Sequence, residues 1–204
     1  MQRIYLYTRF ERLWHWSQAL LIIGLGITGF NIHGSWQIMT FEQAHWWHIR
    51  LGWALVALTV FAIFWHFTTG AWKQYIPTTE RLNAIAHYYL VGIFRNEKHP
   101  FKKNEVSKLN PLQRLTYLGF KILIAPVMIV TGLLMIYAHL WPQWGLQWSF
   151  GTMALIHTAG AFLLVAFLIV HVYMTTTGHT VFSHIKAMLV GYEDLPDDEV
   201  AIAD

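Results

Sequence analysis

Residues Met153–Met174 read MALIHTAGAFLLVAFLIVHVYM, and this stretch decides the fold class. It contains no Asp, Glu, Lys or Arg. A helix needs about 20 apolar residues to cross a hydrocarbon layer of about 30 Å, and this run is long enough. Two histidines interrupt it, His157 and His171, fourteen positions apart. At about 100° per residue that is roughly 40° short of four whole turns, so both imidazoles face one side, about 21 Å apart along the axis. An imidazole inside a membrane is expensive unless it has a partner. The stretch therefore predicts a transmembrane helix that presents one functional group near each membrane face.

Three further apolar stretches lie outward from it, at about 13–32, 47–67 and 115–137. Composition agrees with four spans: 55% of the chain is apolar and 12% charged, where a soluble domain carries about 25% charged residues. The absence of cysteine excludes disulfides, thiolate iron–sulfur ligation and covalent c-type haem attachment. The net charge of +3 comes from Lys and Arg beside hydrophobic spans, a pattern that does not suggest nucleic acid. The expected fold is all-α, an integral membrane four-helix bundle forming one domain over 1–204. The first span is read as retained rather than cleaved. Arg9, Glu11 and Arg12 precede it, it shows no clear small-residue cleavage site, and His15 lies inside it.

Basic residues set the expected orientation. Arg3, Arg9 and Arg12 precede span one. Lys73, Arg81, Arg95, Lys98, Lys102, Lys103, Lys108 and Arg114 lie between spans two and three, and Lys186 follows span four. The connections 33–46 and 138–150 contain no Lys or Arg. Both termini and the middle loop are thus expected on the cytoplasmic side of a bacterial inner membrane. Trp36, Trp46, Trp47, Trp141, Trp144 and Trp148 then form an interfacial belt opposite. Within the middle loop, Thr79 is expected to cap a helix starting near Glu80, with Leu82, Ile85, Ala86, Tyr89, Leu90 and Ile93 on one face. That short amphipathic helix would lie on the cytoplasmic membrane surface. The segment 95–108 reads as irregular, and the acidic tail Glu193–Asp204 as exposed.

Depth pairs the histidines. With the N-terminus inside, His15 lies at the depth of His171, and His48 at the depth of His157. Two imidazoles on one iron leave no open coordination site, which suits electron transfer rather than oxygen chemistry. The sequence therefore points to two haems. A single intramembrane His can instead hydrogen-bond a neighbouring helix; the joint spacing favours ligation. His45 lies one turn before His48, and His66 lies five turns after it at cytoplasmic depth. His66 is an alternative inner ligand or a neighbour of a quinone. His33, His139 and His179 read as interfacial, and His87, His99 and His184 as surface residues. Arg12 and Arg50, near the two depths, are candidate partners for haem propionates, which a guanidinium binds bidentately.

An ordered set of motifs carries a family resemblance: Arg12-Leu-Trp-His15-Trp16 with Thr28-Gly29; His48-Ile-Arg-Leu-Gly52; Lys108-Leu-Asn110-Pro-Leu-Gln113-Arg114; Thr131-Gly132; and His157-Thr-Ala-Gly160 with His171-Val-Tyr173. The chain resembles cytochrome b subunits of membrane-bound formate dehydrogenase, of thiosulfate reductase-like enzymes and of nickel–iron hydrogenase, a di-haem b561-like group. The resemblance implies two haem b, with His15 and His171 on the cytoplasmic-side haem and His48 and His157 on the outer one. It implies a menaquinone or ubiquinone site beside the inner haem, where Asn110 donates a hydrogen bond and Gln113 and Tyr173 are further candidates. It also implies an iron–sulfur subunit and a molybdenum, tungsten or nickel–iron catalytic subunit as partners. Asn110 followed by Pro111 is equally a helix cap. Two other functions stay in view: a stand-alone cytochrome b561-type quinone reductase, and a histidine-lined metal transporter. The wide His157–His171 separation and the lack of intramembrane Asp or Glu argue against the transporter.

Overall fold

The computed structural model describes residues 1–95, 97, 100–102 and 108–196. Lys98, His99, Lys103 and the end of the acidic tail lie outside the described residues. The chain runs β1 (Gln2–Tyr5), α1 (Arg9–His33), α2 (Phe41–Thr69), α3 (Leu82–Leu90), α4 (Pro111–Gly119), α5 (Ala125–Ile136), α6 (Phe150–Thr175), α7 (Ser183–Val190) and β2 (Tyr192–Leu195). Four stretches are long and apolar enough to cross a membrane: α1, α2, Pro111–Ile136 and α6. Only 6% to 11% of their most apolar windows is buried within the chain. Outward-facing Leu20, Val60, Phe64, Ile122, Leu155 and Leu163 are exposed, so these helices need lipid as their solvent. The fold is the integral membrane helical bundle that the sequence predicts.

The helices start earlier than the apolar runs, because polar caps extend them. Thr8 and Glu11 bond each other's backbone N–H groups at 3.2 and 2.8 Å. Thr40 and Gln43 do the same before α2, at 3.2 and 3.1 Å. Asn110 and Gln113 do so before α4, at 2.9 and 3.0 Å, with Pro111 in the first turn. Each box satisfies donors that a helix N-terminus otherwise leaves open. The third span contains a π-helical turn at Phe120–Ile124. Pro126 explains it: the ring lacks an N–H and crowds the carbonyl four residues back, so the hydrogen-bond ladder shifts register there.

The chain forms two compact units. One comprises Trp14–Trp65 and Lys121–Leu168, most of each span together with the connections 34–40 and 137–149. In it, Gly24 of α1 meets Leu51 of α2, Gly160 of α6 admits Met128 of α5, and Phe30 stacks edge-on against Phe162 at 5.3 Å. The other comprises Met1–Leu13, His66–Phe120 and Ile169–Asp204. In this unit β1 pairs antiparallel with β2, in the register Ile4↔Glu193. Ile4, Leu6 and Leu195 are buried together with Tyr7 packed on them. Gly191, at φ 93°, turns the chain from α7 into β2, and its carbonyl accepts from Leu6 and Tyr7 N–H. An Arg12 N–H donates to the Leu189 carbonyl.

Two expectations change. Thr79 does not cap α3. The helix begins at Leu82 behind Arg81, which holds φ 56°, and Thr79 contributes only its backbone carbonyl, to Leu82 N–H. The apolar face buries Ile85 completely, but α3 stops at Leu90, before Ile93. The start of the acidic tail is also not exposed. Period-2 alternation on β2 turns Glu193 and Leu195 inward, and Asp194 outward beside Arg3 and Lys186. Net acidity hid a half-buried strand.

Candidate functional site

His48 of α2 and His157 of α6 face each other with ring centroids 6.2 Å apart and planes at 76°. Two metal–nitrogen bonds of about 2 Å, plus about 1.1 Å from each nitrogen to its ring centre, give about 6.2 Å for imidazoles that share one metal ion. The spacing fits ligation of a single iron from both sides.

Each ring is oriented by the same device. The Thr28 hydroxyl donates to the Gly24 carbonyl at 2.8 Å, and the Thr131 hydroxyl to the Val127 carbonyl at 2.6 Å. With its proton committed one turn back, each hydroxyl oxygen can only accept. His48 Nδ1–H donates to Thr28 Oγ1 at 2.9 Å, and His157 Nδ1–H to Thr131 Oγ1 at 2.8 Å. Nδ1 is thus the protonated nitrogen of both rings, and Nε2 keeps its lone pair for a metal. An orienting hydrogen bond of this kind fixes tautomer and ring angle at metal sites.

Glycine makes the approach possible. A Cβ on Gly29 would stand 3.1 Å from His48 Cε1, and one on Gly132 would stand 3.3 Å from His157 Cε1. The repeated Thr-Gly pair therefore serves each ring twice: the hydroxyl sets its tautomer and the missing side chain gives it room.

The remaining candidates divide between the two units. His15 meets Trp16 edge-on at 5.2 Å. In the other unit, the Tyr117 hydroxyl lies 3.5 Å from His171 Nδ1, at the outer limit for a hydrogen bond. His66 is buried with its ring 5.6 Å from Tyr75. Arg50 lies over the Trp46 ring at 3.3 Å and donates to the Trp46 carbonyl, a cation–π contact on its own helix. Asn110 is buried; its Oδ1 completes the cap, and its Nδ2 donates to the Tyr89 hydroxyl at 3.1 Å. Among the described residues the second amide hydrogen of Asn110 has no partner, and Asn110 lines a cavity of about 170 Å³ together with Tyr89, Gln113, His184 and Glu193.

Glu11 and Lys108 gain a role that sequence reading had not given them. Lys108 Nζ contacts both Glu11 oxygens, at 3.0 and 3.1 Å, with side chains 14% and 9% exposed. The pair ties the segment leading into Asn110 to the first turn of α1. The signal in the sequence was the Thr-x-x-Glu cap, which aims Glu11 back along the helix.

Fold and site together define a multi-pass membrane protein with a facing pair of half-buried histidines, each ring held by a threonine. Residues 6–191 match the family described as prokaryotic cytochrome b561, and the chain belongs to that family. It is therefore a membrane b-type cytochrome of electron transfer, carrying b-type haem. The YdhU protein of Escherichia coli (strain K12), whose name calls it a cytochrome, is 32% identical over 94% of this chain and 75% of its own length. B-type cytochrome subunits named for Ni/Fe-hydrogenase are also similar. The one from Rhodobacter capsulatus is 25% identical, over 97% of this chain and 84% of its own. That from Azotobacter vinelandii is 28% identical, over 96% and 90%.

Proposed function

We propose that this chain is a di-haem subunit that carries electrons between an outer-side catalytic partner and the membrane quinone pool. The carrying observation is the facing His48–His157 pair at 6.2 Å, each ring held by a threonine. These two histidines would hold one haem through its iron. His15 and His171, matched by depth along their helices, are the ligands of the second. Arg12 and Arg50 are the propionate partners, and Asn110 offers its free amide hydrogen to a quinone oxygen. The haems supply one-electron transfer; the apolar spans exclude water from their ligands. The basic connections favour both termini on the cytoplasmic side. The names of the hydrogenase-type relatives support a nickel–iron partner with an iron–sulfur subunit, and the sequence resemblance extends this to molybdenum or tungsten enzymes. Co-purification from membranes followed by metal analysis identifies which one. The reading as a whole is tested by haem quantification and a reduced-minus-oxidised spectrum on the purified chain. Absence of b-type haem, or one haem per chain, contradicts it.

Two outcomes probe the orienting device. Thr131→Val keeps the shape but removes the acceptor for His157 Nδ1–H. The imidazole becomes less basic, which disfavours ferric iron. A loss of about 1 kcal/mol of differential stabilisation raises one midpoint potential by on the order of 40 mV. Redox titration followed at the haem band measures it, and two unshifted potentials count against the role. Gly29→Val drives a side chain into His48, whereas a Cβ on Gly26 meets nothing within 4 Å. Gly29→Val is therefore expected to lose a haem and Gly26→Val to keep both. Equal haem content in the two variants would contradict the packing argument.

A further inference from the structure

The cavity beside Asn110 contains groups that electron transfer leaves unused. Tyr89, Asn110 and Gln113 line it, and so do His184 and Glu193. Glu193 arrives on β2 with its side chain 1% exposed; His184, on the first turn of α7, is 23% exposed. His184 Nε2 lies 3.3 Å from Glu193 Oε1. A carboxyl group buried in a wall is unfavourable unless it is partnered, and this partner leads outward. The two side chains thus make a graded step from the solvent side to the cavity.

The backbone builds this placement. Alternation along β2 separates inward Glu193 from outward Asp194. The left-handed turn at Gly191 folds the strand back from α7. Gly178 lies against His184, where a Cβ would come within 3.1 Å of Nε2. Two tyrosines are near. Tyr7, just after β1, has its hydroxyl pushed up by burial and then by Tyr117, Glu193 and Glu11. Burial also raises Tyr89, against the hydrogen bond from Asn110. Burial thus keeps both as neutral phenols. His179 and Tyr88 are the further titratable groups on the cavity wall among the described residues.

We propose that Glu193 and His184 form the proton port of this cavity, moving protons between water and a quinone held at Asn110; this rests on the quinone reading given above. In the oxidising direction a quinol loses two electrons and two protons. The electrons reduce two ferric haem irons to ferrous. Each O–H bond breaks with its proton passing to the Glu193 carboxylate, then to His184, then to water. Quinone reduction follows the same path backwards, with two ferrous irons oxidised and two protons taken up.

The test uses the full haem-loaded chain, with menadiol as electron donor and a fluorescent hydroxyquinoline N-oxide as quinol analogue. Glu193→Gln is expected to keep its haems and to bind the analogue as the parent does. Its menadiol-driven haem reduction should slow by about 100-fold, the scale of a lost acid–base group. Formate, a small diffusible proton carrier, should restore much of that rate. A parental rate in Glu193→Gln overturns the port. So does a slow rate that formate leaves unchanged, and so does lost analogue binding, which would make the pair a wall of the site rather than a relay. Should Glu193→Gln fail to accumulate, His184→Asn must show the same slow, formate-rescued reaction, and a parental rate there overturns the port. Asn110→Ser keeps the helix cap but removes the amide donor. If it binds the analogue as tightly as the parent, the quinone reading at Asn110 fails, and the port falls with it.

Discussion

On the proposed di-haem reading, His157→Ala is expected to leave one haem where the parent chain holds two. On that reading the imidazole would supply one of the two protein ligands to the iron, and its replacement leaves Thr131 and Gly132 facing a space that alanine cannot bridge. His48→Ala should give the same single haem, because the proposal assigns both rings to one iron. The combinations are the sharper test. Residues acting on one centre are non-additive, so His48→Ala with His157→Ala should still retain one haem. His15→Ala with His157→Ala should retain none. His66→Ala should keep both. The measurement is haem per chain together with the difference spectrum. A full complement in His157→Ala, or a lost haem in His66→Ala, would show that the ligands are assigned wrongly.

Lys108→Met is expected to be among the most destabilising single changes outside the haem ligands. It strands the Glu11 carboxylate in a site where that side chain is 9% exposed. Removing one partner of a buried ion pair costs about 3 kcal/mol or more. For a chain of this size that lowers the melting temperature by about 10 °C, read by loss of the haem band on heating in detergent. Replacing both partners is much milder, because no charge is left unpaired. The double variant Glu11→Gln, Lys108→Met should therefore regain most of the loss. Gln still caps Thr8 N–H, which separates the charge effect from the capping effect. A double variant no more stable than Lys108→Met would mean that Lys108 acts through something other than Glu11.

Much of this architecture was legible in the sequence. The four spans follow from apolar length, and the facing of His157 and His171 from helical period. Three Ser/Thr/Asn-x-x-Glu/Gln boxes, at Thr8, Thr40 and Asn110, stood in plain view as helix starts. Reading apolar runs alone set the helices several residues too short. Thr79 misled because a capping residue type is common in turns; the chain there enters α3 through a left-handed Arg81 instead. The four-residue strands at the two ends of the chain were beyond reach. Each is too short to show a period, and each is meaningful only once the other is beside it.

The sequence by itself determined which residues could be ligands, since length, hydropathy and depth are local properties of each helix. Only the tertiary structure decided what holds them. Thr28 orients His48 and Thr131 orients His157 because of how each helix is rotated about its own axis, and depth says nothing about rotation. The same is true of Glu11 with Lys108 and of Glu193 with His184. The partners of each pair lie on different elements, and their charge or hydrogen bond acquires meaning only when packing removes the water between them.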